Sequence, residues 1–285
     1  MERNFFIGSK WLYYKIYTGT KTADLILIEK LQPIIQELKD KGIILKWFFI
    51  RYNDPDQHIR IRFYCKNSEN TFLIISKLSP VLNSLFHENV IWKVQTDTYQ
   101  RELERYGEKT IKESETLFCI NSELILKYLF LKRNFADSEM ELFFSFLLID
   151  SFLNTFSLNN AHKLKLMNEL QISFKKEFNV DKTFKKEIDI HFRKLQKEIN
   201  HFISEEAIND YPEIYELINE NQIQANETIQ LIIKKIEIPL DDFLMSHIHM
   251  MINRQYTSKQ RMYELIIYDH LYKYYKTLNY ERSLI

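Results

Sequence analysis

Short β-branched and aromatic runs recur through the first hundred positions. Trp11 to Tyr17, Ile44 to Tyr52, Ile59 to Tyr64 and Val90 to Val94 read as strands, because such side chains fit a pleated, half-buried surface. Between the first two runs, Ala23 to Lys39 carries Leu27, Leu31, Ile34 and Leu38 near helical spacing, and Gly42 is placed to end the helix. Pro33 is expected to kink it. From Ile111 onward the pattern is helical, with long apolar stripes broken around Ser157 to Asn160, Asn209 to Pro212 and Pro239. The longest apolar run, Leu142 to Ile149, is interrupted by Ser145 and stopped by Asp150. It falls far short of the ~20 residues of a membrane span, so it predicts a buried helix and no membrane span. In the charge-rich stretch Lys165 to Phe202, the stripe Leu166, Leu170, Phe174 and Phe178 marks the charges as a solvated helix face.

These elements predict an α+β fold, with an N-terminal mixed or antiparallel sheet and helices continuing into a largely helical C-terminal half. Turn chemistry is concentrated where the strands are, since all four glycines and three of the five prolines lie in the first 107 residues. No internal repeat or low-complexity linker interrupts the chain. The expectation is one domain over 1–285, α/β-rich over 1–110 and mainly helical over 111–285.

Lysine plus arginine and aspartate plus glutamate number 39 each, which removes any sequence-independent pull toward nucleic acid or anionic lipid. Cys65 and Cys119 are the only cysteines, too few for a disulfide framework, and the start Met1-Glu2-Arg3-Asn4 does not resemble a secretory signal. A cytoplasmic setting is expected. The commonest phosphate, dinucleotide, nucleophile-elbow and Cys-x-x-Cys motifs are absent. His247 and His249 stand two apart, about 200° around a helix, and no His-Glu-x-x-His frame surrounds them, so neither a metal nor another cofactor is expected.

Three clusters carry candidate chemistry. After the turn Asp54-Pro55, the segment Gln57 to Phe63 alternates strictly. Ile59, Ile61 and Phe63 then share one face, and Arg60 and Arg62 share the other, about 6.6–7 Å apart, close enough for two guanidinium forks to converge on one carboxylate-bearing ligand. Taken alone, the strand favours the plainer reading, a solvated face of an edge strand. In Tyr99 to Gly107, Glu102 and Arg105 can pair at i,i+3 on a helix, the arrangement also of ordinary surface ion pairs. In Ser246 to Arg254, His249 and Asn253 lie four apart, so Asn253 could orient the imidazole, and a core or capping histidine is the bland alternative.

Taken together the chain resembles the lantibiotic dehydratase C-terminal domain, also met in thiopeptide biosynthesis. Trp11-Leu12-Tyr13-Tyr14-Lys15-Ile16-Tyr17-Thr18-Gly19 resembles its opening strand. Trp47 to Pro55 followed by His58-Ile59-Arg60-Ile61-Arg62-Phe63 resembles its most recognisable motif. Tyr99, Glu102 and Glu104-Arg105-Tyr106-Gly107 are similar to its Glu-Arg-Tyr-Gly-Gly element, with Glu115, Phe118 and Ser122 at the expected spacing. Ser246, His249-Met250 and Asn253-Arg254 resemble its closing motif. Two departures stand out: Glu108 replaces the second glycine, where a non-glycine residue resists positive φ, and Asn121 replaces an aspartate.

The resemblance implies elimination of glutamate from glutamylated Ser or Thr of a ribosomal precursor peptide of the lanthipeptide or thiopeptide kind. It implies Arg60, Arg62 and Arg105 as catalytic and glutamyl-holding residues, Glu102, Arg51 and Asn253 as further substrate-binding residues, and His249 in proton transfer or enolate stabilisation. The partner it implies is a separate glutamyl-tRNA-dependent glutamylation protein, with no direct tRNA binding by this chain. A cyclase and a second copy of the chain are further partners it leaves open. Two other readings compete: a thiopeptide pyridine synthase joining two dehydroalanines, and a non-catalytic scaffold that presents the precursor peptide. The full arginine and glutamate set favours elimination over both.

Overall fold

The computed structural model describes residues 2–135 and 139–282, the side chains of 281 and 282 excepted. The chain forms two compact units, one of residues 1–130, 235–238 and 253–258, the other of residues 131–234, 239–252 and 259–285.

The first unit contains strands β1 (Asn4–Phe5), β2 (Trp11–Thr18), β3 (Ile44–Asn53), β4 (Gln57–Cys65), β5 (Ile91–Thr96) and β6 (Tyr99–Gln100). The main sheet has the order β3-β4-β2-β5, and every neighbouring pair is antiparallel. β1 and β6 pair separately. Helices α1 (Thr20–Leu25) and α2 (Gln32–Asp40) connect β2 to β3, and α3 (Glu69–His87) connects β4 to β5. This β-α-β-β-α-β path is a ferredoxin-like unit. It continues into the short α4 (Leu103–Tyr106) and the long α5 (Ile111–Leu131). All four expected strands form, each with its ends within two residues of those expected, because the apolar runs end at real turns.

Two features depart from the sequence pattern. Between α1 and α2 the backbone does not simply kink at Pro33 but winds as a π-helical turn over Ile26–Leu31. Proline has no N–H and its ring crowds the carbonyl four residues back, and one wide turn ahead of it relieves both. Helix α3 was not marked by the pattern, and it runs through Pro80, which is exposed.

β4 sets the two faces of the sheet. Ile59, Ile61 and Phe63 are fully buried on the core side, as their alternation requires. On the opposite side Arg62 pairs in register with Tyr13 of β2 and Phe48 of β3, and Arg60 with Lys15 and Ile50. The outer edge of β3 is closed by side chains. Ser122 Oγ receives the amide of Phe49 at 3.3 Å, and Arg254 Nε donates to the Phe49 carbonyl at 2.9 Å.

The second unit is helical: α6 (Met140–Thr155), α7 (Asn160–Glu177), α8 (Lys182–Ile203), most of α9 (Pro212–Lys235) and α10 (Leu240–Gln255), and α11 (Gln260–Arg282). α7 starts on Asn159 and α8 on Asp181, whose side chains accept from the third residue onward, the ordinary N-cap device. The apolar run in α6 is buried along its length. The helix continues past Asp150 to Thr155, and the Asp150 carboxylate is held at 2.6 Å by both Lys163 Nζ and Tyr275 Oη. Among the described residues no helix is long and apolar enough to cross a membrane.

Candidate functional site

The site is built first from the polar face of β4. Arg62 is 8% exposed. Its guanidinium carbon sits 4.2 Å from the centroid of the Tyr13 ring and 5.1 Å from those of Phe48 and Tyr99. Among the described residues Nε and Nη1 have no hydrogen-bond partner, and burial pulls the pKa of the group below its ordinary value. A buried cation with bare donors is an expensive arrangement, offset in part by the three ring faces. It is not the solvated strand face that alternation alone also allowed. Glu102 and Arg60 both lie within its electrostatic reach.

Arg60 is half-buried. Its guanidinium stacks 3.4 Å from the Tyr52 ring centroid, and Nε donates to His58 Nε2 at 3.0 Å. His58 Nδ1 lies 2.7 Å from the Asp56 carbonyl, so the ring donates from Nδ1 and accepts at Nε2. Burial lowers the pKa of His58, consistent with a neutral ring that aims Arg60. His58 thus joins the cluster as a residue that fixes an arginine, a part not assigned to it by the sequence.

Glu102 and Arg105 are paired as the helical reading required, with Arg105 Nε 3.5 Å from Glu102 Oε2 and the side chains 55% and 58% exposed. An ion pair this exposed adds little stability, and both groups are open to a ligand. Gly107 closes the short helix with φ of 73°, and a Cβ there would meet Thr110 Oγ1 at 2.7 Å. Glu108 has no positive φ, so the missing second glycine leaves this turn unstrained.

Next to Glu102 in the chain, Arg101 is buried, and it was not singled out from the sequence. Its Nε and Nη2 donate to Glu115 Oε1 and Oε2 at 2.6 and 2.7 Å, and Tyr99 Oη donates to the same carboxylate at 3.0 Å. This bidentate pair anchors Tyr99, one wall of the Arg62 box. Alternating acids and bases in Arg101-Glu102-Leu103-Glu104-Arg105 could not reveal which arginine turns inward.

Arg51 and Asn253 are engaged with each other's surroundings, Arg51 Nη1 alone having no hydrogen-bond partner among the described residues. Arg51 is buried, with Nη2 2.6 Å from Asp24 Oδ1 and Nε donating to the Arg254 carbonyl at 2.9 Å. The Asn253 side chain accepts from the Arg51 amide and donates to its carbonyl, both at 2.9 Å. The expectation that Asn253 orients His249 is therefore corrected: its one amide is spent on the strand edge. Asn121, in place of the expected aspartate, accepts from Arg254 Nη1 at 3.2 Å. Without a carboxylate there, burial brings Arg254 down to about 9.

His249, on α10, has a different partner. Nδ1 lies 2.6 Å from Glu264 Oε1, the histidine side chain being 30% and the glutamate 1% exposed. Glu264 also accepts from Tyr268 Oη and from Arg261 Nη1, each at 3.0 Å. Arg261-x-x-Glu264-x-x-x-Tyr268 places all three on one face of α11, a spacing visible in the sequence but indistinguishable there from a surface pair. His247 is buried, with its ring 4.5 Å from Phe243 and 5.9 Å from Phe152. Among the described residues no three His, Cys, Asp or Glu side chains are grouped to hold a metal ion.

Over residues 11–275 the sequence matches the family described as lantibiotic biosynthesis dehydratase C-term. It is similar to the subtilin biosynthesis protein SpaB of Bacillus subtilis, at 27% identity over 175 residues, covering 60% of this chain and 17% of that protein. The fold is similar to that of the tRNA dependent lantibiotic dehydratase MibB from Microbispora sp. 107891, with a TM-score of 0.77, 16% identity, and coverage of 96% of this chain and 29% of that one. It is also similar to the pyridine synthase TbtD from thiomuracin biosynthesis, with a TM-score of 0.63, 11% identity, and coverage of 94% and 99%. The chain thus spans under a third of SpaB and of MibB, and the structural likenesses speak for the fold alone. Because the match runs from the first long strand into the last helix, the chain belongs to the lantibiotic biosynthesis dehydratase C-terminal family.

Proposed function

We propose that this chain removes glutamate from glutamylated Ser or Thr of a ribosomal precursor peptide, leaving dehydroalanine or dehydrobutyrine. The observation that supports it best is Arg62, a buried guanidinium walled by three aromatic rings whose Nε and Nη1 have no partner among the described residues. Such donors suit an anionic group brought in by a ligand. Arg60 and Arg105 supply two more cations for the glutamyl carboxylates, and Glu102 an anion for its ammonium. His249 takes the proton from Cα of the esterified residue. The electron pair then forms the Cα=Cβ bond, the Cβ–O bond breaks, and glutamate departs as its carboxylate. A positioned base contributes about 10²–10⁴-fold, and one donor at the developing charge about 10²–10³-fold.

Glutamylation would be supplied by a glutamyl-tRNA-dependent activity outside these 285 residues. The chain's balanced charge gives no electrostatic excess for tRNA. The pyridine synthase reading shares the fold, but joining two dehydroalanines requires no grip on a glutamyl group, and the arginine set therefore favours elimination. The deciding experiment gives the purified protein a peptide with Ser or Thr glutamylated through the α-carboxyl and follows it by mass. Loss of glutamic acid is expected. An unchanged glutamylated peptide with a folded protein would refute the reading.

A further inference from the structure

Glu264 is almost fully buried, and both of its carboxylate oxygens have hydrogen-bond partners. Oε1 faces His249 Nδ1 at 2.6 Å and receives Tyr268 Oη at 3.0 Å, and Oε2 receives Arg261 Nη1 at 3.0 Å. Burial, and then the adjacent Glu264, hold the Tyr268 hydroxyl well above the ordinary phenol range, so it remains a donor. Arg261 is itself tied at 3.1 Å to Glu177 Oε1 of α7, which prevents the strut from swinging away. A carboxylate flanked by one hydroxyl and one guanidinium donor has lone pairs to offer to the imidazole, and the imidazole must meet it with N–H.

We propose that Glu264 is the positioning residue for His249, holding the ring with its proton on Nδ1 so that Nε2 is the atom that takes the substrate proton. The proposal rests on elimination as the activity of this chain. It gives a buried acid a task that packing does not explain, since a hydrocarbon side chain would fill the same space without needing three polar partners. It also explains why one turn of α11 carries both Arg261 and Glu264. Arg261 restrains the carboxylate at Oε2 and leaves Oε1 for the ring.

The test uses the full chain with ¹⁵N-labelled histidine, assigning the His249 ring by comparison with His249→Ala. In the wild type the ring should carry its proton on Nδ1. In Glu264→Gln the amide can either accept from Nδ1–H or donate to a bare Nδ1, so the tautomer preference should be lost. Elimination from a glutamylated peptide should then fall about 10²–10⁴-fold in kcat, with KM little changed. Should Glu264→Gln fail to fold, Glu264→Asp, which keeps the carboxylate but draws it back from the ring by one methylene, should give a smaller loss of kcat and a mixed tautomer. An unchanged tautomer in these variants overturns the proposal, as does a wild-type kcat in folded Glu264→Gln. A wild-type protein that removes no glutamate defeats the proposed activity instead, and the ring spectra then judge Glu264 by themselves.

Discussion

The side chain of Asn253 closes both main-chain hydrogen bonds of Arg51, each at 2.9 Å. A single amide presents the same donor and acceptor that a further strand would, and the edge of β3 is completed without one. Removing the amide should therefore act on stability. Asn253→Ala leaves a donor and an acceptor without partners and should destabilise by about 1–3 kcal/mol, read by urea denaturation. A rise in KM with unchanged stability would return Asn253 to the substrate-binding role.

Arg62 should show the opposite signature. Burying its charge among Tyr13, Phe48 and Tyr99 opposes folding, and a leucine would fill the box without charge. Arg62→Leu is expected to melt at the same temperature as the wild type or above it, while losing elimination by about 10²–10³-fold. A lowered melting temperature would mean that the guanidinium is there to hold the sheet.

The two histidines of α10 should separate chemistry from packing. His249→Ala removes a side chain that is 30% exposed and should lower elimination by about 10²–10⁴-fold with the fold unchanged by circular dichroism. His247→Ala opens a gap beside Phe243 and Phe152. It should lower stability by roughly 1–3 kcal/mol and leave the turnover of the folded fraction near wild type. Equal catalytic losses in both would point to damage of α10 as a whole.

Acid should weaken the second unit through His270, which is 0% exposed. Its Nε2 lies 2.8 Å from His191 Nδ1, the rings of Phe146 and Phe192 flank it, and Asp269, Lys175 and Lys273 form the adjacent ion cluster. Burial lowers its pKa. The unfolded chain therefore binds this proton first, so stability is intact above the unfolded value of about 6.5 and declines as pH falls from there toward the lower folded value. His58 is lowered by burial as well and acts in the same direction. Exposed His201 is raised by Asp210 and acts against them. Melting temperatures at pH 7.5 and about 5.5 should differ less in His270→Gln than in the wild type. An identical pH dependence would remove His270 from the account.

Local pattern predicted what local physics decides. Runs of β-branched and aromatic residues located all four long strands, and the change of pattern at Ile111 coincides with the start of α5. Alternation in β4 put Arg60 and Arg62 opposite Ile59 and Ile61, as the register has it. Long-range partners were beyond such reasoning. Arg101 and Arg105 look equivalent in sequence, yet only Arg101 meets Glu115 fourteen residues later. Nothing in the sequence marked Glu264, because its partner His249 lies in the preceding helix. Asn253 sits one turn from His249, but its contact is with a strand 202 residues earlier.

The strict alternation of β4 also makes its length count by parity. Each residue of Gln57–Cys65 sends its side chain to one side or the other according to whether its position is odd or even. A single deletion between the turn and Arg60 would deliver the guanidinium groups into the hydrocarbon layer and bring Ile59 and Ile61 out in their place. The three-residue link Asp54, Pro55 and Asp56 lies outside the pairing that begins at Asn53 and Gln57, so length changes there can be absorbed before the frame is set. Viable variants of this protein should accordingly tolerate indels in the link and two-residue changes toward the end of the strand, while odd changes ahead of Arg60 are lost.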